Sequence, residues 1–154
     1  MQWGAYGTAP GELQHPSGVA VDASGMVYVA DTWNQRIQVF SARGDYLAQW
    51  GYQGSGDGQF YNPSDVCVDA SGNVYVTDAD NHRVQKFRNA GSYLAQWGTR
   101  GTGDGQFNHP ASMAVTSDGR IYVADMYNNR IEEFGSSPTP TKTQTWGRLK
   151  TLYR

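Results

Sequence analysis

The sequence predicts an all-β fold assembled from repeated four-stranded antiparallel units, and three observations carry that expectation. The first is a self-similarity with a period of 47 residues, which spaces Trp3, Trp50 and Trp97 and likewise Pro16, Pro63 and Pro110. Aligning residues 3–49 with 50–96 gives 25 identical positions out of 47, and a period in the forties marks stacked blades or helical pairs. The second is composition: 19 Gly, 5 Trp and 10 Tyr against only 17% charged residues suit tight turns between aromatic-bearing strands. The third is that no unit holds a sustained 3.6-residue apolar period, which excludes a helical solenoid.

The middle unit, residues 50–96, justifies each element in order. Pro63 opens a short, β-branched run, Ser64 to Asp69, which reads as a strand. Asp69-Ala70-Ser71-Gly72 is a hairpin turn in which Gly72 supplies a positive φ and Asp69 accepts backbone N–H bonds, as Asp22 does one unit earlier. Asn73 to Asp78 is a second strand of high β propensity. Ala79-Asp80-Asn81-His82 turns the chain, with Asn81 as the residue expected to tolerate a left-handed backbone. Arg83 to Phe87 alternates polar with apolar, as a half-buried third strand should, and Ser92 to Trp97 is the fourth. Such units are the blades of a β-propeller: apolar inner strands sandwiched between neighbours, more polar strands at the outer rim.

The pattern Gly-Gln-Phe-x-x-Pro, Val-x-Val-Asp-x-x-Gly-x-Val-Tyr-Val-x-Asp and Asn-x-Arg-x-Gln-x-Phe resembles the NHL repeat. It stands here as Gly58-Gln59-Phe60 through Asn81-His82-Arg83-Val84-Gln85-Lys86-Phe87, and the resemblance covers residues 3–134. The Asn-His pair of the signature survives only at Asn81-His82; the sister units read Asn34-Gln35 and Asn128-Asn129. The resemblance implies a propeller that in this family usually has six blades. At 154 residues the chain holds about 3.3 units: residues 1–134 form three repeats (about 3–49, 50–96 and 97–134), followed by a Pro/Thr linker and tail at 135–154.

Three blades cannot close a ring, and an open arc exposes two apolar sheet faces of several hundred Å². Two copies supply six blades, so a C2 homodimer is the expected partner state. Two segments compete to complete the third blade. Gln2-Trp3-Gly4 matches the fourth-strand endings Gln49-Trp50-Gly51 and Gln96-Trp97-Gly98, which suggests a strand exchanged between copies. Near 143–147, Thr145-Trp146-Gly147 offers an alternative, although Pro138 and Pro140 before it weaken strand pairing.

Charge is unevenly spread. Residues 1–134 hold eight cations against all 14 acids, whereas Lys142, Arg148, Lys150 and Arg154 make the tail basic. An acidic body lacks the clustered cations a phosphate-tracking surface needs, which argues against nucleic acid as partner. No apolar run approaches 18 residues and none resembles a secretion signal, so no membrane span is expected and the compartment is unknown. The single cysteine, Cys67, stands where Ala20 and Ala114 stand in the sister units, and reads as a small buried residue.

The series Asp31, Asp78, Asp125 and Arg36, Arg83, Arg130 recurs in every unit. Chemistry seldom requires one group identically in each blade, so these read as turn braces or ion pairs and not as catalysts. His15 and His109 share one repeat position with Asn62; a ring of axial His is a Zn²⁺ motif, but their placement beside Pro argues for ordinary loop residues. Asp57 and Asp104 offer too few carboxylates for a Ca²⁺ loop. No metal, cofactor or catalytic residue is assigned. The candidate ligand-binding rim is the set that varies within the repeated frame: Trp33, Asp80 and Tyr127, with His15, Asn62 and His109 beside them.

The functional expectation is a non-enzymatic scaffold that dimerises and binds a protein, peptide or small ligand on one rim. A second reading is an excised or engineered half-ring whose only function is assembly. A third is a metal-dependent lyase or hydrolase with an axial site, since some enzymes built on similar propellers are metal-dependent lyases.

Overall fold

The computed structural model describes residues 2–135. The linker, the basic tail and the Trp146 strand candidate lie outside the described residues. A short parallel pair, β1 (Ala5–Tyr6) with β2 (Glu12–Leu13), leads into the first blade. That blade runs β3 (Pro16–Val21), β4 (Val27–Asp31), β5 (Arg36–Phe40) and β6 (Tyr46–Trp50), in that order across an antiparallel sheet. The second runs β7 (Pro63–Val68), β8 (Val74–Asp78), β9 (Arg83–Phe87) and β10 (Tyr93–Trp97). The third comprises β11 (Pro110–Val115), β12 (Ile121–Asp125) and β13 (Arg130–Phe134).

The first hairpins form because their turns satisfy themselves. Asp69 Oδ1 accepts the Ser71 N–H at 2.8 Å and the Asn73 N–H at 2.9 Å, while Oδ2 accepts the Tyr75 hydroxyl at 2.9 Å. Asp22 repeats this with Ser24, Met26 and Tyr28. Gly72 takes φ +79° in this turn, which favours glycine there. In the second hairpin the left-handed residue is His82, not Asn81, and its counterparts are Gln35 and Asn129. Asn81 instead spends its side-chain amide on Asp78 and on the Gly54 carbonyl, both at 2.9 Å.

Blades pack through two apolar layers. Tyr28, Ala30, Ile37 and Val39 of the first blade meet Phe60, Val66, Val74, Val76 and Phe87 of the second. Cys67, Tyr75 and Val84 of the second blade meet Phe107, Ile121, Val123 and Phe134 of the third. Burial pushes the Cys67 thiol up to about 12, with Asp65 and Asp69 adding to it, so it stays protonated at neutral pH. Gly18 is required by close approach, because a Cβ there would sit 2.6 Å from the Asp65 Cα of the next blade.

Fourth-strand tryptophans bridge the blades. Trp50 lies 6.3 Å from the Tyr28 ring and 5.8 Å from Phe87; Trp97 lies 6.2 Å from Tyr75 and 5.8 Å from Phe134. Trp3 lies 4.6 Å from Phe40 in the matching relation to the first blade. One expectation needs correction: in the first two blades the third strand is buried and not half-buried, whereas β13 of the third blade does alternate. All five residues of β5 are buried, whereas β3 and β6 are largely exposed. Its polar side chains are buried because they hold the loop that precedes the blade.

Candidate functional site

At the heart of the second blade, Asp78 collects four donors. Its Oδ1 accepts the Tyr61 N–H at 2.7 Å; its Oδ2 accepts Arg83 Nε at 2.7 Å, Asn81 Nδ2 at 2.9 Å and Gln85 Nε2 at 3.1 Å. Arg83 then donates to the carbonyls of Ser55, Gly56 and Gln59 at 2.8–2.9 Å and to Gln96 Oε1 at 2.5 Å. One carboxylate–guanidinium pair therefore clasps the glycine-rich loop and ties it to the fourth strand. Asp31 and Arg36 repeat the arrangement on Thr8, Ala9, Glu12 and Gln49.

In the third blade Asp125 and Arg130 hold Thr102, Gly103 and Gln106. Here Glu132 replaces the glutamine of the sister blades, pairing with Arg130 at 2.6 Å and accepting the Gly105 N–H at 2.8 Å. Burial, ahead of the neighbouring Asp125 and Asp104 charges, holds Glu132 above the usual carboxylate range. The Arg side chain is 7% and 8% exposed in the first two braces and 28% in the third. These groups are consumed by the backbone they hold.

The rim candidates gather at the same ends of these strands, in the turns that flank each Asp–Arg brace. Backbone bonds join the two rim turns of each blade: Trp33 N–H to the Gln14 carbonyl, Asp80 N–H to Tyr61 and Tyr127 N–H to Asn108, at 3.0–3.1 Å. His15 stacks on Trp33 with ring centroids 3.6 Å apart, and His109 lies 4.9 Å from Tyr127. Asp80 crosses to the next blade, its Oδ1 lying 2.9 Å from His109 Nε2. Trp33 and Tyr127 are 59% and 58% exposed, and Tyr61 and Met126 extend the apolar rim.

The backbone explains the histidines. His15, Asn62 and His109 have φ between +48° and +62°, a region in which Asn and His are enriched several-fold over other side chains. Two of the three neighbouring left-handed residues also speak to the next blade: Gln35 Oε1 accepts the Asn62 N–H at 2.6 Å, and His82 Nδ1 accepts the His109 N–H at 3.1 Å. Sequence reasoning missed this pair of roles; the only signal was that the residue after Asn34, Asn81 and Asn128 is always long or polar. Among the described residues no three His, Cys, Asp or Glu side chains converge so as to hold a metal ion.

His82 must keep Nδ1 unprotonated to accept that bond. Burial, then the charges of His109 and Arg100, hold it below the ordinary histidine range, outweighing Asp80 and Asp125. An unfolded histidine takes its proton near pH 6.5. Below that pH the unfolded chain therefore binds the proton first, and stability falls as pH falls. The melting temperature is expected to drop between pH 7 and 5, and His82→Gln, which installs the side chain found at Gln35, should flatten part of that slope. An identical slope in the variant would show that His82 is not its source.

Comparison with known proteins fits this geometry. The model of the NHL repeat matches residues 13–40, 60–87 and 107–134. A B-box type zinc finger protein, ncl-1, of Caenorhabditis elegans is 46% identical over 48 residues, 31% of this chain and 6% of that protein. The protein brain tumor of Drosophila melanogaster is 44% identical over 48 residues, 31% of this chain and 5% of its own length. The chain thus matches only a small part of these curated relatives. Among solved structures, virginiamycin B lyase from Staphylococcus aureus aligns with a TM-score of 0.55 at 15% identity, over 82% of this chain and 42% of that one. A regucalcin from Agrobacterium tumefaciens aligns with a TM-score of 0.58 at 15% identity, over 80% and 46%. At such identities the likeness is one of propeller fold. With three matched repeats spanning more than half its length, each on a blade with the same Asp–Arg brace, the chain belongs to the NHL-repeat family.

Proposed function

We propose that the chain is a non-enzymatic scaffold: two copies join head to tail into a six-bladed ring, exchange their end strands at the seams, and bind a protein or peptide on the aromatic rim. The observation that carries this is a repeated interface left open at both ends. Ile37 is 0% exposed because the second blade covers it, whereas its counterpart on the third blade, Ile131, is 64% exposed. Val66 is 2% exposed against the first blade; its counterpart Val19 is 65% exposed. Tyr122 and Ala124 stand in the third blade where Tyr28 and Ala30 are buried in the first. A groove of about 420 Å³ lined by Trp3, Leu13, Pro16, Ser17, Val19 and Val29 runs along the open face of the first blade. Each open face is thus built to take the other, which is the requirement for a heterologous contact that closes.

Light scattering across a dilution series tests the assembly, with a mass twice the 16.9 kDa of the chain expected. A species that stays at 16.9 kDa at every concentration would remove the ring from the proposal.

Trp33, Tyr127 and Tyr61 support the rim reading, because large exposed aromatics with little core duty are the side chains that anchor protein interfaces. Family membership points the same way only by analogy. Peptides selected on the wild-type protein from a displayed library are expected to lose at least about tenfold in affinity for a Trp33→Ala, Tyr127→Ala double variant, the scale of one lost hot spot. Its melting temperature should be unchanged, and undiminished binding would place the ligand surface elsewhere.

A further inference from the structure

In both complete blades the fourth strand ends on the same two contacts. The Gln before the tryptophan accepts the brace arginine: Gln49 Oε1 from Arg36 Nη1 at 3.0 Å, and Gln96 Oε1 from Arg83 Nη1 at 2.5 Å. The tryptophan then packs between the tyrosine of its own blade and the phenylalanine of the next: Tyr28 and Phe87 for Trp50, Tyr75 and Phe134 for Trp97. Trp3 already holds half of this relation, lying on Phe40 of the first blade with its indole against Gly44, as Trp50 lies against Gly91. The residue before it is Gln2.

At the other end of the arc the third blade offers the complement. Among the described residues Arg130 Nη1 donates to the Thr102 carbonyl alone, at 2.7 Å, and the guanidinium is wetter than those of its sister braces. Tyr122 is only partly covered where Tyr28 and Tyr75 are buried.

We infer that Gln2 and Trp3 of one copy complete the third blade of a second copy. Gln2 Oε1 accepts the Arg130 Nη1 of that copy, and Trp3 packs between its Tyr122 and the Phe40 of its own chain. This rests on the head-to-tail ring and names the contacts that seal it. It also decides between the two candidate strands. Thr145, which precedes Trp146, has no amide oxygen to reach an arginine, whereas Gln2 repeats the residue used at both internal junctions.

The experiment uses the full chain and reads the dimer–monomer midpoint by light scattering on dilution. Gln2→Lys sets a second cation against Arg130 and is expected to raise the midpoint at least about tenfold, the scale of a lost hydrogen bond to a charged group. Gln2→Glu keeps an acceptor of opposite charge and should leave the midpoint at or below that of the wild type. A Thr145→Ala, Trp146→Ala double variant should leave it unchanged. A wild-type dimer that ignores Gln2→Lys, or that is lost in the Thr145, Trp146 variant, overturns this assignment and leaves the ring standing. A wild-type chain that remains at 16.9 kDa overturns the ring and this seal together.

Discussion

Asp78→Ala is expected to cost about 3–5 kcal/mol of stability, the range for removing one partner of a buried ion pair. The carboxylate is 0% exposed and its arginine nearly so. Truncation leaves the Arg83 guanidinium uncompensated in the interior, orphans the Tyr61 N–H and takes one of two acceptors from Asn81 and from Gln85. Because Arg83 also holds the Ser55, Gly56 and Gln59 carbonyls, the loop that joins the first blade to the second is released with it. Net stabilities of small domains are about 5–15 kcal/mol, so urea unfolding should show most of the margin gone. Asp125→Ala is expected to cost clearly less: Arg130 is 28% exposed and keeps Glu132 at 2.6 Å. Equal losses for the two variants, or a loss below about 1 kcal/mol for Asp78→Ala, would refute the view that these braces are weighted by burial.

Ile131→Asp is expected to halve the mass in solution while leaving the subunit folded. The side chain is 64% exposed in the single chain, so a carboxylate there is hydrated and costs the subunit little. In the proposed ring the same carboxylate meets the apolar Val19 face without a partner, and burying an unpaired charge costs several kcal/mol at each of two seams. Circular dichroism should report an unchanged β signal while light scattering reports 16.9 kDa. Trp33→Ala, on the rim, serves as the control that leaves the mass alone. A dimer that tolerates Ile131→Asp would show that the third blade's face is not the seam.

The strands were legible because their signals are local. Pro63, Asp69, Gly72 and Asp78 punctuate the second unit at turns whose chemistry is contained within a few residues, and the expected strand bounds differ from β7 to β10 by a residue at most. What escaped was long-range. Gln53 pairs in parallel with Phe60, and Arg100 with Phe107, inside loops that have no strand-like composition. Arg83 reaches carbonyls 24–28 residues upstream, and no periodicity announces which loop an arginine will clasp. The same blindness hid the burial of β5: Arg36 and Gln38 look solvent-facing until the loop lying on them is known. Trp33, Asp80 and Tyr127 stood out as rim candidates by variation within a constant frame, and the structure places all three in the turns between second and third strands. The histidines beside them were harder to read, because a left-handed backbone leaves no mark in sequence beyond a preference for Asn and His.

The side-chain relay that passes from Gln35 to Asn62 and from His82 to His109 runs in one direction only. It gives the arc a polarity, like an arrow with a distinct head and tail. Objects of that kind, joined head to tail, either curl shut or grow without end, and the turn made at each junction settles which. If each junction turns by a sixth of a circle, two arcs shut and growth stops. A substitution that flattened one junction, such as a side chain at Gly18 forcing Asp65 outward, would then do more than weaken a contact. It would leave a sticky end unspent after every addition, converting a finite object into a filament.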